Sequence, residues 1–300
     1  MTHKYPPVIL VTGCSSGIGL AMARMLWSLP QYRVIVTARA KSLKNLSGET
    51  FKNSDRFWIR PLDITSEQER NILFQEIESQ WQGVDILVNN AGISFRSVIE
   101  HMDRESELLQ IDTNYLGPLA LIRLALPYMR KQGRGKIINV SSVSGMLAMP
   151  TMGSYSASKF ALEGASESLW YEMKPLGINV TLVQPGFVHS NSFQNIYRPP
   201  KAMSCSIDDH GPYCDYYSSM DPFIEKMMHL SMTTPEKIAK VVLRVIRREN
   251  PPLRMPATLD AWVFQILRRI TPRAIFHKIL YSFLPGHSQW AKDYTKARHR

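Results

Sequence analysis

The sequence predicts an α/β fold: a doubly wound parallel sheet of about seven strands, helices on both faces, and a C-terminal helical extension. Three observations carry this. From Val8 onward, short β-branched runs alternate with longer amphipathic stretches, the rhythm of strand, crossover helix and parallel strand. A glycine-rich turn stands where the first run hands over to the first amphipathic stretch. The 300 residues are 44% hydrophobic and 20% charged, enough for a sizeable core and too apolar for a disordered chain.

Taken in order, the strand candidates are 8–12, 32–37, 57–62, 86–88, 136–140, 179–183 and, with a weaker pattern, 253–256. Helical spacing occupies 18–29, 66–81, 105–131, 155–173 and 235–248. The rhythm fails over 189–234, which holds Pro199-Pro200, Gly211-Pro212 and many aromatics, among them Tyr213, Tyr216, Tyr217 and Phe223. A long irregular segment rich in aromatics reads as a substrate lid. Residues 1–256 therefore form the sheet domain and 257–300 an appended pair of helices. The first carries Leu259, Trp262, Val263, Ile266, Leu267 and Ile270 on one face; the second starts at Thr271-Pro272 and carries Ile275, Phe276, Ile279, Leu280 and Phe283.

Three cysteines, Cys14, Cys205 and Cys214, are too few for a disulfide framework, and no Cys/His set has zinc spacing, so no metal is expected. The N-terminus lacks the order of a signal peptide and no apolar run reaches the ~20 residues of a membrane span, so a reducing, cytoplasmic setting is expected. The net charge of +11 is uneven: 237–300 carry 14 Lys+Arg against 3 Asp+Glu, while 1–236 carry 22 of each. A charge-balanced body with a basic amphipathic end, and no nucleic-acid module, points away from nucleic acid and toward an anionic membrane surface.

The turn reads Gly13-Cys14-Ser15-Ser16-Gly17-Ile18-Gly19. Glycines there let the backbone turn sharply, bring its amides to a pyrophosphate and pack helix on strand. At the end of the second run no acid is present to hold a ribose 2′-hydroxyl, and Arg39 stands where a 2′-phosphate partner would, which favours NADP(H) over NAD(H). Tyr155 and Lys159, four apart at the start of a helical pattern, share one face. A phenol with pKa near 10 needs a neighbouring cation to exchange protons near neutrality. Ser142 lies thirteen residues upstream, just past the fifth strand, with Ser141 and Ser144 as rivals.

These motifs in this order resemble the short-chain dehydrogenase/reductase family, over roughly residues 8–248, and most closely its steroid- and retinol-type enzymes. The resemblance implies a Rossmann-type sheet and a nicotinamide cofactor held by Gly13, Ser15, Ser16, Gly17, Ile18 and Gly19. It assigns Asp63 to the adenine amino group, Asn90, Ala91 and Gly92 to the riboses, and Pro185, Gly186, Val188 and Ser190 to the nicotinamide, Ser190 replacing the usual threonine. It selects Ser142 to orient the substrate oxygen, Tyr155 to transfer its proton, Lys159 to lower the tyrosine pKa and bind ribose, and Asn114 to support a proton relay through its carbonyl. It also implies a homodimer or tetramer.

The expected reaction is hydride transfer between NADP(H) and a hydrophobic alcohol, ketone or aldehyde of steroid, retinoid or long-chain lipid type. The apolar run 146–152, Phe187, Met220, Phe223, Met227 and Met228 suggest that substrate. The competing reading, a cofactor-binding sensor without turnover, calls for a damaged tyrosine, lysine or serine, and all three are intact.

Overall fold

The computed structural model describes residues 5–47, 51–189, 196–205 and 211–292. In chain order its elements are β1 (Val8–Val11), α1 (Gly17–Trp27), β2 (Arg33–Ala38), α2 (Lys44–Ser47), β3 (Phe57–Pro61), α3 (Glu67–Trp81), β4 (Ile86–Asn89), α4 (Arg104–Ile111), α5 (Gly117–Gln132), β5 (Gly135–Val140), α6 (Gly153–Met173), β6 (Ile178–Gln184), α7 (Pro200–Ser204), α8 (Cys214–Leu230), α9 (Pro235–Arg247), β7 (Arg254–Pro256), α10 (Leu259–Ile270) and α11 (Arg273–Ser282). The seven strands pair in parallel in the order β3-β2-β1-β4-β5-β6-β7. The chain reverses its direction of winding between β1 and β4, which opens a crevice at the carboxyl ends of the strands.

Strand alternation sends two sets of side chains to opposite faces. Ile9, Val11, Val34, Val36 and Val88 meet Ala21, Met22 and Leu26 of α1 and Ile238, Val242 and Val245 of α9. Val8, Leu10, Ile35, Leu87 and Ile137 meet Leu73 and Ile77 of α3, Leu121, Ala125 and Met129 of α5, and Leu169 of α6. Burial on both faces explains why the strands read as continuous apolar runs.

Two elements differ from the sequence reading. The single helix expected over 105–131 is broken: α4 and α5 are joined by a π-helical turn at Asp112–Leu116. Pro118 explains the break, because it has no N–H for the bond that an α-helix closes onto the carbonyl of residue 114. The segment expected to be irregular holds α7 and the 17-residue α8, whose buried Tyr217, Met220 and Ile224 recur at helical spacing.

Beyond β7, α10 and α11 pack Ala261 and Phe276 onto Val143, Met146 and Leu147. Their other face leaves Leu259, Trp262, Ile270, Ile275, Ile279 and Phe283 exposed. Among the described residues no helix is long and apolar enough to cross a membrane.

Candidate active site

Thr12 leaves β1 and knots the two sides of the crevice together. Its Oγ1 accepts the amides of Asn90 and Ala91, each at 3.0 Å, while Asn90 Nδ2 donates to the carbonyls of Thr12 at 2.9 Å and Gly13 at 3.1 Å. Gly13 (φ +71°) is pressed on the next loop, since a Cβ there would stand 2.7 Å from Ala91 Cα. Cys14 is buried in the turn and its thiol is pushed up to about 12 by burial, so it is inert packing. Gly17 (φ +54°) faces open space. Half-buried Ser15 and exposed Ser16 border it, and Ile18 packs into the core. Ser16 makes no side-chain cap on α1 and no acid occupies the first turn, so the helix start keeps its amide donors for an external anion. This cradle fits a pyrophosphate.

Arg39 is exposed at the end of β2. Asp63, past the end of β3, accepts the Thr65 amide at 3.0 Å and hydroxyl at 2.7 Å through Oδ1.

Ser142 follows β5, and its Oγ accepts the Ser144 amide at 3.1 Å, leaving the hydroxyl proton to be donated elsewhere. Tyr155, in the first turn of α6, lies beside Ser142, whose hydroxyl favours the phenolate. Ser141 and Ser144 are buried, while Ser142 is partly exposed. One turn further, Lys159 Nζ donates to the Val140 carbonyl at 3.0 Å and lies 6.0 Å from the centre of the Tyr155 ring. Burial brings Lys159 down to about 8, with Glu163 pulling the other way.

The phenol behaves differently from the sequence expectation. Burial holds Tyr155 above its ordinary value, against the Ser142 hydrogen bond and the charge of Arg96. Arg96 is thus a cation that favours the phenolate, and the sequence reading missed it. Arg96 is 6% exposed and pinned by its neighbours: its amide donates to Tyr197 O at 2.9 Å, and that of Ser97 to Thr151 O at 2.8 Å. Burial lowers its own pKa, while Asp221 and Tyr155 raise it. The available signal was one arginine within the otherwise uncharged stretch 91–98.

Asn114 sits in the π turn, a deformation common at functional sites. Its side chain accepts the Ile93 amide at 2.9 Å and donates to the Ile93 carbonyl at 2.9 Å and Ser158 Oγ at 3.0 Å. A methyl on Gly92 would stand 3.2 Å from Asn114 Oδ1 and 3.8 Å from Lys159 Nζ, so these three residues converge.

Pro185 accepts the Val143 amide at 2.7 Å, tying the turn after β6 to the serine. Gly186 donates to Thr258 Oγ1 at 2.8 Å and Phe187 to Asp260 Oδ2 at 2.9 Å, so the start of α10 holds this turn. Val188 is buried in the core and Ser190 lies outside the described residues. Tyr155 packs against a buried cluster of Met152, Met220, Ile224 and Leu284, to which Met149, Phe187, Phe223, Met228 and Trp290 also add. Met227, also expected here, is not among them.

A nucleotide cradle at the crevice of a doubly wound sheet, facing a neighbouring serine and tyrosine, defines a nicotinamide-dependent oxidoreductase class. Residues 7–201 match the family model described as short chain dehydrogenase, and the chain belongs to the short-chain dehydrogenase/reductase family. It is 34% identical over 249 residues to 3-ketodihydrosphingosine reductase of Bacteroides thetaiotaomicron, covering 83% of this chain and 87% of that protein. It is also similar to members of the steroid and retinol branch. Identity is 31% with bovine (Bos taurus) retinol dehydrogenase 8, covering 83% and 80% of the two chains. It is 29% with human (Homo sapiens) 17-beta-hydroxysteroid dehydrogenase type 1, covering 82% and 76%. Among solved structures, a short-chain dehydrogenase from Streptomyces avermitilis superposes with TM-score 0.76 at 30% identity, over 93% of this chain and 97% of that one. A serine dehydrogenase complexed with NADP+ does so with TM-score 0.68 at 25% identity, over 83% and 93%.

Proposed function

We propose that this protein is an NADP(H)-preferring oxidoreductase that interconverts a hydrophobic alcohol with its ketone or aldehyde, of steroid, retinoid or long-chain lipid type. The observation that carries the reading is the contact of Tyr155 with Ser142 inside a Met- and Phe-rich apolar cluster, beside the glycine cradle. The nicotinamide, when bound, supplies or accepts the hydride. The protein's own residues do the rest. Ser142 donates its remaining proton to the substrate oxygen, and Tyr155 gives or takes the proton on that oxygen. Lys159 binds ribose and adds positive charge, Asn114 fixes the loop at residue 93 against α6, and Met and Phe side chains exclude water. Gly13, Gly17, Gly19, Ser15, Ser16, Asp63, Asn90, Ala91, Gly92, Pro185, Gly186, Val188 and Ser190 complete the cofactor site.

Arg39 supports the NADP(H) preference, since a guanidinium pairs well with a 2′-phosphate. Following cofactor absorbance with a panel of lipophilic ketones tests the reading. NADPH should be consumed in preference to NADH, and Arg39→Ala should weaken NADPH by about 10- to 100-fold, as for loss of a charge-assisted bond, while barely changing NADH. Absence of turnover with the whole panel counts against the enzyme reading, and equal weakening of both cofactors counts against Arg39.

The exposed apolar face of α10 and α11 supports peripheral attachment to an anionic membrane. Leu259, Trp262, Ile270, Ile275 and Phe283 are flanked by exposed Arg269 and Lys278, and Leu259 borders a groove of ≈ 380 Å³ lined by Lys237, Lys240 and Arg244. Apolar anchors beside cations match an anionic lipid surface. Sedimentation with phosphatidylserine vesicles should show binding that weakens with salt, and neutralising Arg269 and Lys278 to Gln should reduce it by about 30-fold at low salt, near 1 kcal/mol per charge. Failure to sediment, or a lipid-free dimer that covers this face, would remove the proposal.

A further inference from the structure

Two of the three cysteines meet outside the catalytic centre. Cys205 ends α7 and Cys214 begins α8, and the Cys214 thiol donates to Cys205 Sγ across 2.7 Å, only ~0.6–0.7 Å beyond the ~2.05 Å of an S–S bond. Both are reduced. Gly211 covers the pair without a side chain: a Cβ there would stand 3.1 Å from Cys214 Sγ and 3.4 Å from Cys205 Sγ, and its carbonyl accepts the Cys214 amide at 3.3 Å. Cys214 is buried and Cys205 is partly exposed, so an oxidant in solution reaches one thiol and the second stands ready behind it.

The elements so joined matter to the substrate side. Arg198, just before α7, pairs with Asp221 of α8 at 2.6 Å, and α8 also carries Met220 and Phe223 of the cluster around Tyr155. From the same buried face of α8 as Met220, Tyr217 accepts the Val98 amide at 3.1 Å and contacts His101 Nδ1 at 3.1 Å.

We infer that Cys205 and Cys214 form a redox-sensitive dithiol that closes to a disulfide and locks α7 onto α8. With glutathione disulfide as oxidant, the Cys205 thiolate attacks one glutathione sulfur and releases one glutathione thiolate. Cys214 then attacks the Cys205 sulfur of the mixed disulfide and releases the second. The protein loses two protons and two electrons, and one glutathione disulfide takes them up to become two glutathione thiols. Cys14, deep in the phosphate turn with its thiol pushed up to about 12, takes no part.

The test is intact-mass spectrometry of the full-length protein after incubation with glutathione disulfide, followed by peptide mapping and dithiothreitol. The wild type should lose two mass units through a Cys205–Cys214 link and regain them on reduction. Cys214→Ser should stop at a single glutathione adduct on Cys205. Amide hydrogen exchange along α8 should slow several-fold in the oxidised wild type and remain unchanged in Cys214→Ser. A wild type that accumulates the Cys205 adduct without closing, or whose two thiols are alkylated at the rates seen in the single variants, would overturn the assignment. Unchanged exchange in the closed form would overturn the locking of α8. None of these readouts depends on turnover, so they stand or fall apart from the proposed oxidoreductase activity.

Discussion

Tyr155→Phe should lower turnover by about 10²–10⁴-fold, the contribution of a positioned proton donor, while leaving NADPH affinity nearly unchanged. The ring remains to fill its place among Met149, Met152 and Met220, so the fold has no reason to respond. Only the hydroxyl that meets Ser142 is gone. A titration of NADPH binding beside a steady-state assay checks both halves, and retained turnover would remove Tyr155 from its role. The pH profile carries a further sign. Burial holds the phenol above its ordinary value and Arg96 opposes that, so Arg96→Met should raise it. Alcohol oxidation, which needs the phenolate, should then reach half its maximal rate at a higher pH than in the wild type.

Gly19→Ala and Gly17→Ala should fail in different ways. A Cβ on Gly19 would stand 2.1 Å from the Gly13 carbonyl oxygen and 2.7 Å from Asn90 Nδ2, so backbone must move and the knot around Thr12 opens. Overpacking of this kind costs about 1–3 kcal/mol or more, and the unfolding midpoint should fall with loss of cofactor binding. A Cβ on Gly17 meets nothing within 4 Å, although φ of +54° costs an L-residue about 1–2 kcal/mol. Its methyl points into the space assigned to the pyrophosphate, so its loss of NADPH affinity should exceed what its stability change explains. Thermal unfolding with and without NADPH separates the two. Equal behaviour of the variants would mean that the open side of Gly17 is not the phosphate side.

The sheet was legible because its strands are buried on both faces and so written as uninterrupted apolar runs. Only strand ends moved: Thr12 falls just past the end of β1, although its amide still donates to the Val88 carbonyl at 3.1 Å. The pairing of Tyr155 and Lys159 was marked by a local cue, one helical turn of spacing, and a serine at the end of β5 by its place in the sheet, while the choice of Ser142 over Ser141 and Ser144 came from the family resemblance. What escaped depends on contacts between distant segments. The α8 face of Tyr217, Met220 and Ile224 was hidden by Asp221-Pro222 in its middle, although Pro222 lies inside the helix. Arg96 acts on Tyr155 across 59 positions of sequence, and no periodicity records such a meeting. The π turn just before Pro118 leaves no mark in the hydrophobic spacing.

The hold of Thr258 and Asp260 on the turn at Gly186 and Phe187 changes how the end of the chain has to be dissected. Deleting everything after Met255 to study lipid attachment would also strip two acceptors from the turn beside the nicotinamide site, leaving two amides in need of new partners. Such a shortened protein would be catalytically crippled whether or not a bilayer is its home. Point changes on the outward face, at Trp262 or Ile270, leave those acceptors in place. The C-terminal helices and the turn after β6 therefore share one point of attachment, at Thr258 and Asp260.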